Sequence, residues 1–312
     1  MVQLIIVGWE AHSRWYLCRP MRITIFSRGP FLYSTRRLVE AGKARQHWTE
    51  VVDHGLCSPD LFGDQTSLLY QGKPLALPQV AIPRIGANIT SRGVAIIRQL
   101  DALRVPHTMS AEGLLRARDK MGCLQILAAN DVPVPRTVLC FSVGEARRVA
   151  LQMDKFPVVV KLLESTHGVG VALAHSLYQL ERTVEGFLRM QDRIILQEYV
   201  AESQGRDIRA LVVGDQVVAA MERQAVAGEF RANMHRGASA RAVRLSAEDE
   251  ALCLRAAAVT GVEIAGVDLI PSARGPLLME VNASPGLEGI EGATKVDIAG
   301  AIIDYAVQKI KT

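Results

Sequence analysis

The sequence predicts an α/β protein, an open sheet followed by mixed strands with covering helices. Three observations carry that expectation. Hydrophobic residues fill 49% of the 312 positions but aromatics only 5%. The core must therefore come from Val, Ile, Leu and Ala, which suit parallel strands and the helices over them. Short apolar runs alternate with amphipathic stretches in a β-α-β rhythm. No apolar run approaches the ~18 to 20 residues of a membrane-spanning helix, and 22% charge excludes a disordered, collagen-like or coiled-coil chain.

Residues 1–20, MVQLIIVGWEAHSRWYLCRP, lack a basic leader and a small-residue cleavage site, so they do not read as a signal peptide. We expect a weakly packed extension there, with the core fold starting at Met21 and active without it. RITIFS, 22–27, alternates as a strand, a helix follows near 34–46, and WTEVVD, 48–53, reads as a second strand. VAIPRI, 80–85, is a buried strand before a helical stretch at 91–104. A boundary falls near 105–112, giving an N-terminal α/β domain over 21–112 and a second domain over 113–312.

The second domain opens with a helix near 114–130, its apolar residues Leu114, Ala117, Met121, Leu124 and Leu127 spaced three or four apart. VPVP at 132–135 stops it. PVVVKLL (157–163) and VGVALAH (169–175) read as strands, then a helix at 176–190 and the strand RIILQEYV at 193–200. RALVVG and QVVAAMERQ flank Gly214-Asp215 as a hairpin. Ser246-x-x-Asp249 caps a helix that ends before Gly261. AGVDLI and LLMEVN are strands, and a last helix is expected near 294–310.

Net charge is +4, but residues 1–118 hold 15 Lys+Arg against 8 Asp+Glu. A basic third suits an anionic partner or a solvated surface, and the count does not choose between them. No basic run is interleaved with aromatics, so direct nucleic-acid reading is not expected. Cys18, Cys57, Cys123, Cys140 and Cys253 form no CxxC and no regular spacing. An odd, scattered set suits neither a disulfide framework nor zinc, and a cytoplasmic protein is expected.

Glu280 and Asn282 lie two apart in a strand and so share a face. Asp268 sits in the apolar strand GVDLI, where a charge needs a partner. Two carboxylates and an amide oxygen make a hard site for Mg²⁺ or Mn²⁺, with phosphate and water completing the shell. Edge carboxylates facing water would read the same way. Lys161 closes the apolar run VVV, beside Glu164 and the small-residue loop Ser165, Thr166, Gly168, Gly170. Either Glu164 or a bound phosphate could neutralise it, and the loop offers hydroxyls and backbone N–H groups. Lys120 follows Asp119 on the helix at 114–130. LQEYV, 196–200, could hold an adenine edge or be an ordinary strand end. GEFRANMHRGASA, 228–240, carries Arg231, His235 and Arg236 in a loop of small residues.

Taken in order, MRITIFSRGPFLYSTRRL, IPRIGANITSRGVAIIRQLD, RARDKMGCLQIL, PVVVKLLESTHGVGVAL, ILQEYV, GRDIRALVVGD, FRANMHRGASA, AGVDLI and GPLLMEVNASPGLEGIE resemble the RimK branch of the ATP-grasp ligases. The likeness runs from Met21 to the end. It implies an ATP-grasp fold, two α+β lobes of about 113–197 and 198–312 clasping ATP, behind the N-terminal open α/β domain. It implies that Lys120 and Lys161 bind ATP phosphates, that Glu198 and Tyr199 hold the adenine, and that Asp207 holds the ribose side. Arg231, Ala232 and Asn233 would lie against the phosphates. Asp268, Glu280 and Asn282 would be ligands of two Mg²⁺ or Mn²⁺ ions. Ser165 and Ala238 stand where the family pattern has glycine.

The resemblance further implies an ATP-dependent carboxylate–amine ligase working through an acyl phosphate. Its expected acceptor is the C-terminal tail of small-subunit ribosomal protein six, with free L-glutamate as incoming amine. The same chemistry on a small molecule or carrier protein, or a non-catalytic nucleotide-binding module, are the competing expectations. Arg223 and Arg236 are expected to steer the acceptor or glutamate carboxylate, since guanidinium grips carboxylate in a fork. The oligomeric state is left open, with a homo-oligomer among the options.

Overall fold

Four sheets organise the residues that the computed structural model describes, which are 20–62, 65–153, 155–163, 170–226, 229–232 and 237–310. The expectations for residues 1–19, for Glu164, Ser165, Thr166 and Gly168, and for Asn233, His235 and Arg236 lie outside the described residues.

The first sheet is built by β1 (Arg22–Phe26), β2 (Trp48–Val52) and, after the segment below, β6. Helix α1 (Tyr33–Ala44) makes the first crossover. An antiparallel ribbon, β3 (Cys57–Phe62), β4 (Gln65–Tyr70) and β5 (Lys73–Pro74), interrupts the β-α-β rhythm. No element was expected there. It buries little beyond Cys57 and Leu68 and leaves Leu61 and Phe62 exposed, so it carries no clear apolar alternation. Then come β6 (Val80–Pro83) and α2 (Thr90–Ala102). The sheet is parallel, in order β2-β1-β6. Ile23 and Ile25 pack with Leu38 and Ala41 of α1 on one face, while Phe26 packs with Ile96 and Leu100 of α2 on the other. Burial on both faces is why these strands read as nearly continuous apolar runs.

The single helix expected near 114–130 is two helices, α3 (Ala111–Arg118) and α4 (Lys120–Ala129). Asp119 sits between them in an extended conformation and accepts the N–H groups of Met121 at 3.1 Å and Gly122 at 2.9 Å. An aspartate in this role caps a new helix; apolar spacing ran through the break because both helices face one core. Neither β7 (Thr137–Cys140) nor α5 (Val143–Met153) was anticipated. They join β8 (Val158–Leu162), β9 (Val171–Ala174), α6 (Leu177–Leu188) and β10 (Ile194–Glu198) in an antiparallel sheet, order β7-β10-β8-β9. Val158, Val160, Leu162, Ile194 and Leu196 turn toward α5 and α6. By strand alternation, Val159, Lys161, Ile195 and Gln197 turn the other way.

The third unit is an antiparallel sheet of β11 (Arg206–Val213), β12 (Gln216–Gln224), β13 (Ser239–Ala242), β14 (Ile264–Ile270) and β15 (Leu277–Asn282), in order β13-β12-β11-β14-β15. Gly214, at φ +61, makes the expected hairpin turn. Helix α7 (Ala247–Thr260) starts where the Ser246 hydroxyl accepts the Asp249 N–H at 3.1 Å and stops at Gly261, φ +71. It packs with α4 on one face of this sheet.

The expected last helix at 294–310 is α8 (Glu288–Thr294) followed by α9 (Ile298–Gln308). Lys295 at φ +60 breaks the run, and the Asp297 carboxylate caps α9 by accepting the Gly300 N–H. Helix α9 lies against the first sheet as well as the third: Ile298, Ile302 and Ile303 share a core with Ile23, Ile25 and Leu38. Arg45 of the α1 end adds Nε–H to Asp304 at 2.7 Å. The first and last described elements are thus packed together.

Candidate active site

Lys161 projects from the face of β8 that is turned away from α5 and α6. Its Nζ donates to Gln197 Oε1 at 2.6 Å, and Gln197 Nε2 donates to Thr137 Oγ1 at 2.8 Å. Gln197 is 1% exposed. The lysine is therefore oriented by a neutral amide, not by a carboxylate. Burial pushes its pKa down to about 8; nearby Glu280 opposes the shift and Lys120 adds to it. Lys120 reaches the same place from the first turn of α4, donating Nζ–H to the carbonyls of Leu162, at 3.2 Å, and Leu163. The break at Asp119 makes this possible, because it restarts the helix at the lysine. Lys161 thus lies within electrostatic reach of Lys120 from α4 and of Glu280 from β15. Gln197 was not singled out from sequence, since a glutamine in a strand has no motif.

Asp268 and Glu280 are direct partners across β14 and β15. Asn282 Nδ2 donates to Glu280 Oε1 at 3.0 Å, as their shared face requires. Asp268 has the partner its burial demands, and in fact two. Arg209 Nε donates to Oδ1 at 2.7 Å and Nη2 to Oδ2 at 2.5 Å; Arg223 Nη2 donates to Oδ2 at 3.0 Å. Burial alone would raise this carboxyl, but the two guanidinium groups hold it down at about 2. Arg223 also forks onto Asp207, at 2.6 and 2.7 Å. Asp207 is pushed up to about 6 by burial, because the arginine that holds it is shared with Asp268.

This ladder alters two expectations. Arg223 is 3% exposed and spends its fork on Asp207 and Asp268, so it does not face outward to grip a substrate carboxylate. Asp207 turns its carboxylate to Arg223 rather than into open space. Arg209, the fourth member, carried no sequence signal beyond lying two residues after Asp207 on the same face of β11.

At the end of β10, Glu198 Oε1 accepts the Arg136 N–H at 2.8 Å and Arg274 Nη2–H at 2.5 Å. Tyr199 meets Phe230 edge to face, ring centroids 6.5 Å apart. Arg231 stacks over Phe230 at 5.1 Å, forks onto Glu229, and donates Nη1–H to the Val171 carbonyl of β9 at 3.2 Å. The hydrogen bonds from Arg231 hold the Glu229 carboxylate near 2. Ala232 is buried. The segment 229–232 therefore ties the strand end that follows Glu198 to the second sheet's edge.

The donor set fits a magnesium ion completed by its substrate. Among the described residues no three His, Cys, Asp or Glu side chains cluster as a self-sufficient metal cage. Asp268, Glu280 and Asn282 supply two carboxylates and an amide, and a small hard ion typically takes one or two carboxylates plus phosphate oxygens and water. Glu280 is half exposed, at 48%, and its second oxygen makes no bond to Asn282. Lys120 and Lys161 stand on the other side of the cleft, where a polyphosphate would need them.

Two family models match the chain. A RimK-like ATP-grasp domain spans residues 117–306, and a RimK PreATP-grasp domain spans residues 21–114. A protein from Aeromonas salmonicida named probable alpha-L-glutamate ligase is 43% identical over 285 residues, covering 91% of this chain and 96% of the relative. A protein of the same name from Pectobacterium carotovorum is 44% identical over 288 residues, covering 92% and 95%. Among solved structures, a RimK domain protein from Sphaerobacter thermophilus aligns with a TM-score of 0.68 at 24% identity, covering 92% of this chain and 99% of that one. The ATP-grasp ligase PsnB, complexed with a precursor variant, Mg and ADP, aligns at 0.72 and 21% identity, covering 93% and 99%. These structural likenesses speak to the fold. Among the described residues no helix is long and apolar enough to cross a membrane.

Proposed function

The chain belongs to the RimK-like ATP-grasp family and is an ATP-dependent carboxylate–amine ligase of the glutamate-ligase kind; from that premise we propose that it adds L-glutamate to the C-terminal glutamate of a protein tail, that of small-subunit ribosomal protein six. One observation carries the site assignment. Lys120, from α4, bonds the Leu162 and Leu163 carbonyls at the end of the strand that carries Lys161, and Lys161 lies within electrostatic reach of both Lys120 and Glu280. We take the domain limits as 21–112 for the pre-ATP-grasp domain and about 113–197 and 198–312 for the two lobes.

A carboxylate is a poor acyl donor at neutral pH. ATP supplies the phosphoryl group that makes it one, and the Mg²⁺ or Mn²⁺ that Asp268, Glu280 and Asn282 would hold, two ions in this reading, would neutralise charge on the phosphates. The protein's own residues do the rest. Lys120 and Lys161 offer preorganised positive charge to phosphate oxygens, in a partly desolvated cleft where it counts for more than in water. Glu280, Asn282 and Asp268 hold the metal side. Glu198 and Tyr199 line the base end, Arg231, Ala232 and Asn233 the phosphate side, and Asp207 would reach the ribose side only on release from Arg223. Arg231, bonded to Val171, holds its segment across the cleft and excludes water from a labile acyl phosphate. The amine of glutamate attacks that acyl carbon, the new C–N bond forms, and inorganic phosphate leaves with the C–O bonding pair. Arg236 is the remaining arginine proposed to steer a carboxylate there.

The relatives' names support glutamate as a substrate, and the basic balance of residues 1–118, which would draw an acidic tail, supports the acceptor. Intact-mass spectrometry after incubation with ATP, Mg²⁺ and glutamate tests it. The ribosomal protein should gain whole glutamyl residues, and deleting its terminal glutamates should stop the reaction. Rapid extension of a small γ-glutamyl acceptor, with the ribosomal protein untouched, would move the acceptor to the small-molecule class.

A further inference from the structure

Arg84 and Arg118 stand at the junction of three chain segments, and neither forms an ion pair with an acidic side chain among the described residues. Arg84 directly follows β6, at the carboxyl end of the parallel sheet, and its backbone N–H is fixed to the Phe26 carbonyl at 2.8 Å. Its Nη2 donates to the Pro285 carbonyl. Arg118 ends α3 and donates Nη2–H to the Ile85 carbonyl at 2.7 Å. Pro285 in turn lies three residues beyond Asn282, in the turn that leaves β15. The two guanidinium groups are thus anchored by backbone carbonyls at the place where the first sheet meets the metal strand.

Their charge is not balanced locally. Every other arginine described above that is tied into this half of the cleft, Arg209, Arg223 and Arg231, forks onto a carboxylate. Arg84 and Arg118 have no Asp or Glu within ion-pair distance among the described residues. They feel one another instead: burial first, then the Arg118 charge, push Arg84 down to about 10. Arg118 is lowered by burial, with Glu280 the charge that opposes it. Two polar atoms here are buried with no hydrogen-bond partner, Nε of Arg118 and the hydroxyl of Ser284. A buried donor left unused, beside paired like charges, is costly unless a ligand completes it.

The position selects the ligand. Both Lys161 and Arg118 lie within electrostatic reach of the Glu280 carboxylate. The lysines serve the polyphosphate side. In the ligase reading, the substrate that meets the transferred phosphoryl group must come close to the same carboxylate, and both substrates of a glutamate ligase are carboxylates. In an open parallel sheet, the crevice off the carboxyl ends of the strands is also the usual place for a ligand.

We propose that Arg84 and Arg118, with the Ser284 hydroxyl, hold a substrate carboxylate that does not react, on the incoming glutamate or on the acceptor tail. Guanidinium forks bind carboxylate with geometric as well as electrostatic specificity. The inference rests on the ligase reading above. It takes over the steering role that Arg223, engaged with Asp207 and Asp268, does not offer in this structure.

The experiment uses the full chain with ATP, Mg²⁺, glutamate and the acceptor protein. Arg118→Lys keeps the charge but loses the fork; Ser284→Ala removes a single hydroxyl and keeps the backbone. Arg118→Lys should raise KM for one carboxylate substrate by about 10-fold or more, with ADP binding and melting temperature unchanged. Ser284→Ala should raise the same KM several-fold. Substrates that lack one carboxylate identify the source. If the site holds glutamate, its α-amide or γ-amide is a poor substrate for wild type but loses no more in Arg118→Lys. If it holds the acceptor, that behaviour appears with a tail ending in glutamine. The inference is overturned if both carboxylate KM values stay at wild-type levels in a folded Ser284→Ala and Arg118→Lys, or if only the ATP KM moves. A wild-type chain that ligates no glutamate at all overturns the ligase reading instead.

Discussion

The two walls of the cleft solve opposite problems. On the β8 wall, a cation is presented with a neutral partner: Lys161 is oriented by Gln197, and its proton is held loosely, with a pKa of about 8. On the β14–β15 wall, the anions are already saturated: Asp268 takes hydrogen bonds from Arg209 and Arg223, and its pKa is about 2. Among the described residues the first wall places no carboxylate in hydrogen-bond contact with Lys161. The second must let an arginine give ground before Asp268 can ligate a cation. A salt-bridged carboxylate is thus a brace in one state and a ligand in another, whereas the lysine waits for its partner.

Four substitutions sharpen that contrast, from largest effect to smallest. Glu280→Ala should cut turnover by about 10³-fold, the upper range for losing one preorganised electrostatic contact. Glu280 is half exposed, so the melting temperature should stay put. Full turnover in this variant, or of wild type in excess EDTA, would remove the metal assignment. Arg223→Met should destabilise the fold by about 3 kcal/mol, because it strands the Asp207 carboxylate and removes one of the two guanidinium groups on Asp268. Urea denaturation measures it, and a change below about 1 kcal/mol would mean that the ladder is not a brace.

Lys161→Met should reduce turnover by about 10²-fold and weaken ATP binding, yet leave the nucleotide-free protein at least as stable as wild type, and more so below about pH 8. The sign follows from linkage. The unfolded chain keeps this proton up to its ordinary value of 10.5, while the folded site gives it up near 8. Burying the charge therefore costs stability below about pH 8, and the cost fades between those values. For the same reason kcat/KM for ATP should fall as pH rises through about 8 in wild type, and that descending limb should be absent in Lys161→Arg. Loss of stability in Lys161→Met would instead make the lysine structural. Gln197→Leu is the mildest change. It should cost about 1–3 kcal/mol of stability, since it leaves a buried ammonium without its acceptor, and calorimetry decides it.

Much of the architecture was legible because strands buried on both faces leave unmistakable runs, as in RITIFS, VVVKLL and GVDLI. Single-residue breaks were not. Asp119 and Asp297 start new helices inside stretches whose apolar spacing never falters, and only the caps reveal them. The ribbon at 57–74 was missed because almost nothing in it is buried. At the site, the shared face of Glu280 and Asn282 and the isolation of Asp268 and Lys161 could be read from strand period and the expense of buried charge. Their partners could not. Gln197, Arg209 and Arg223 are set by which strands become neighbours, and sequence period is silent about that.

The docking of α9 against β1 and α1 has a consequence for the chain's birth. Ile23, Ile25 and Leu38 are covered by Ile298, Ile302 and Ile303, residues made more than two hundred and fifty positions later. Until those emerge, the earliest-synthesised sheet has an oily flank with nothing native to cover it. Exposed surface of that kind is what holds chaperones and invites aggregation. A pulse of limited proteolysis on nascent chains should find α1 open to attack until α9 has left the exit tunnel, and closed thereafter.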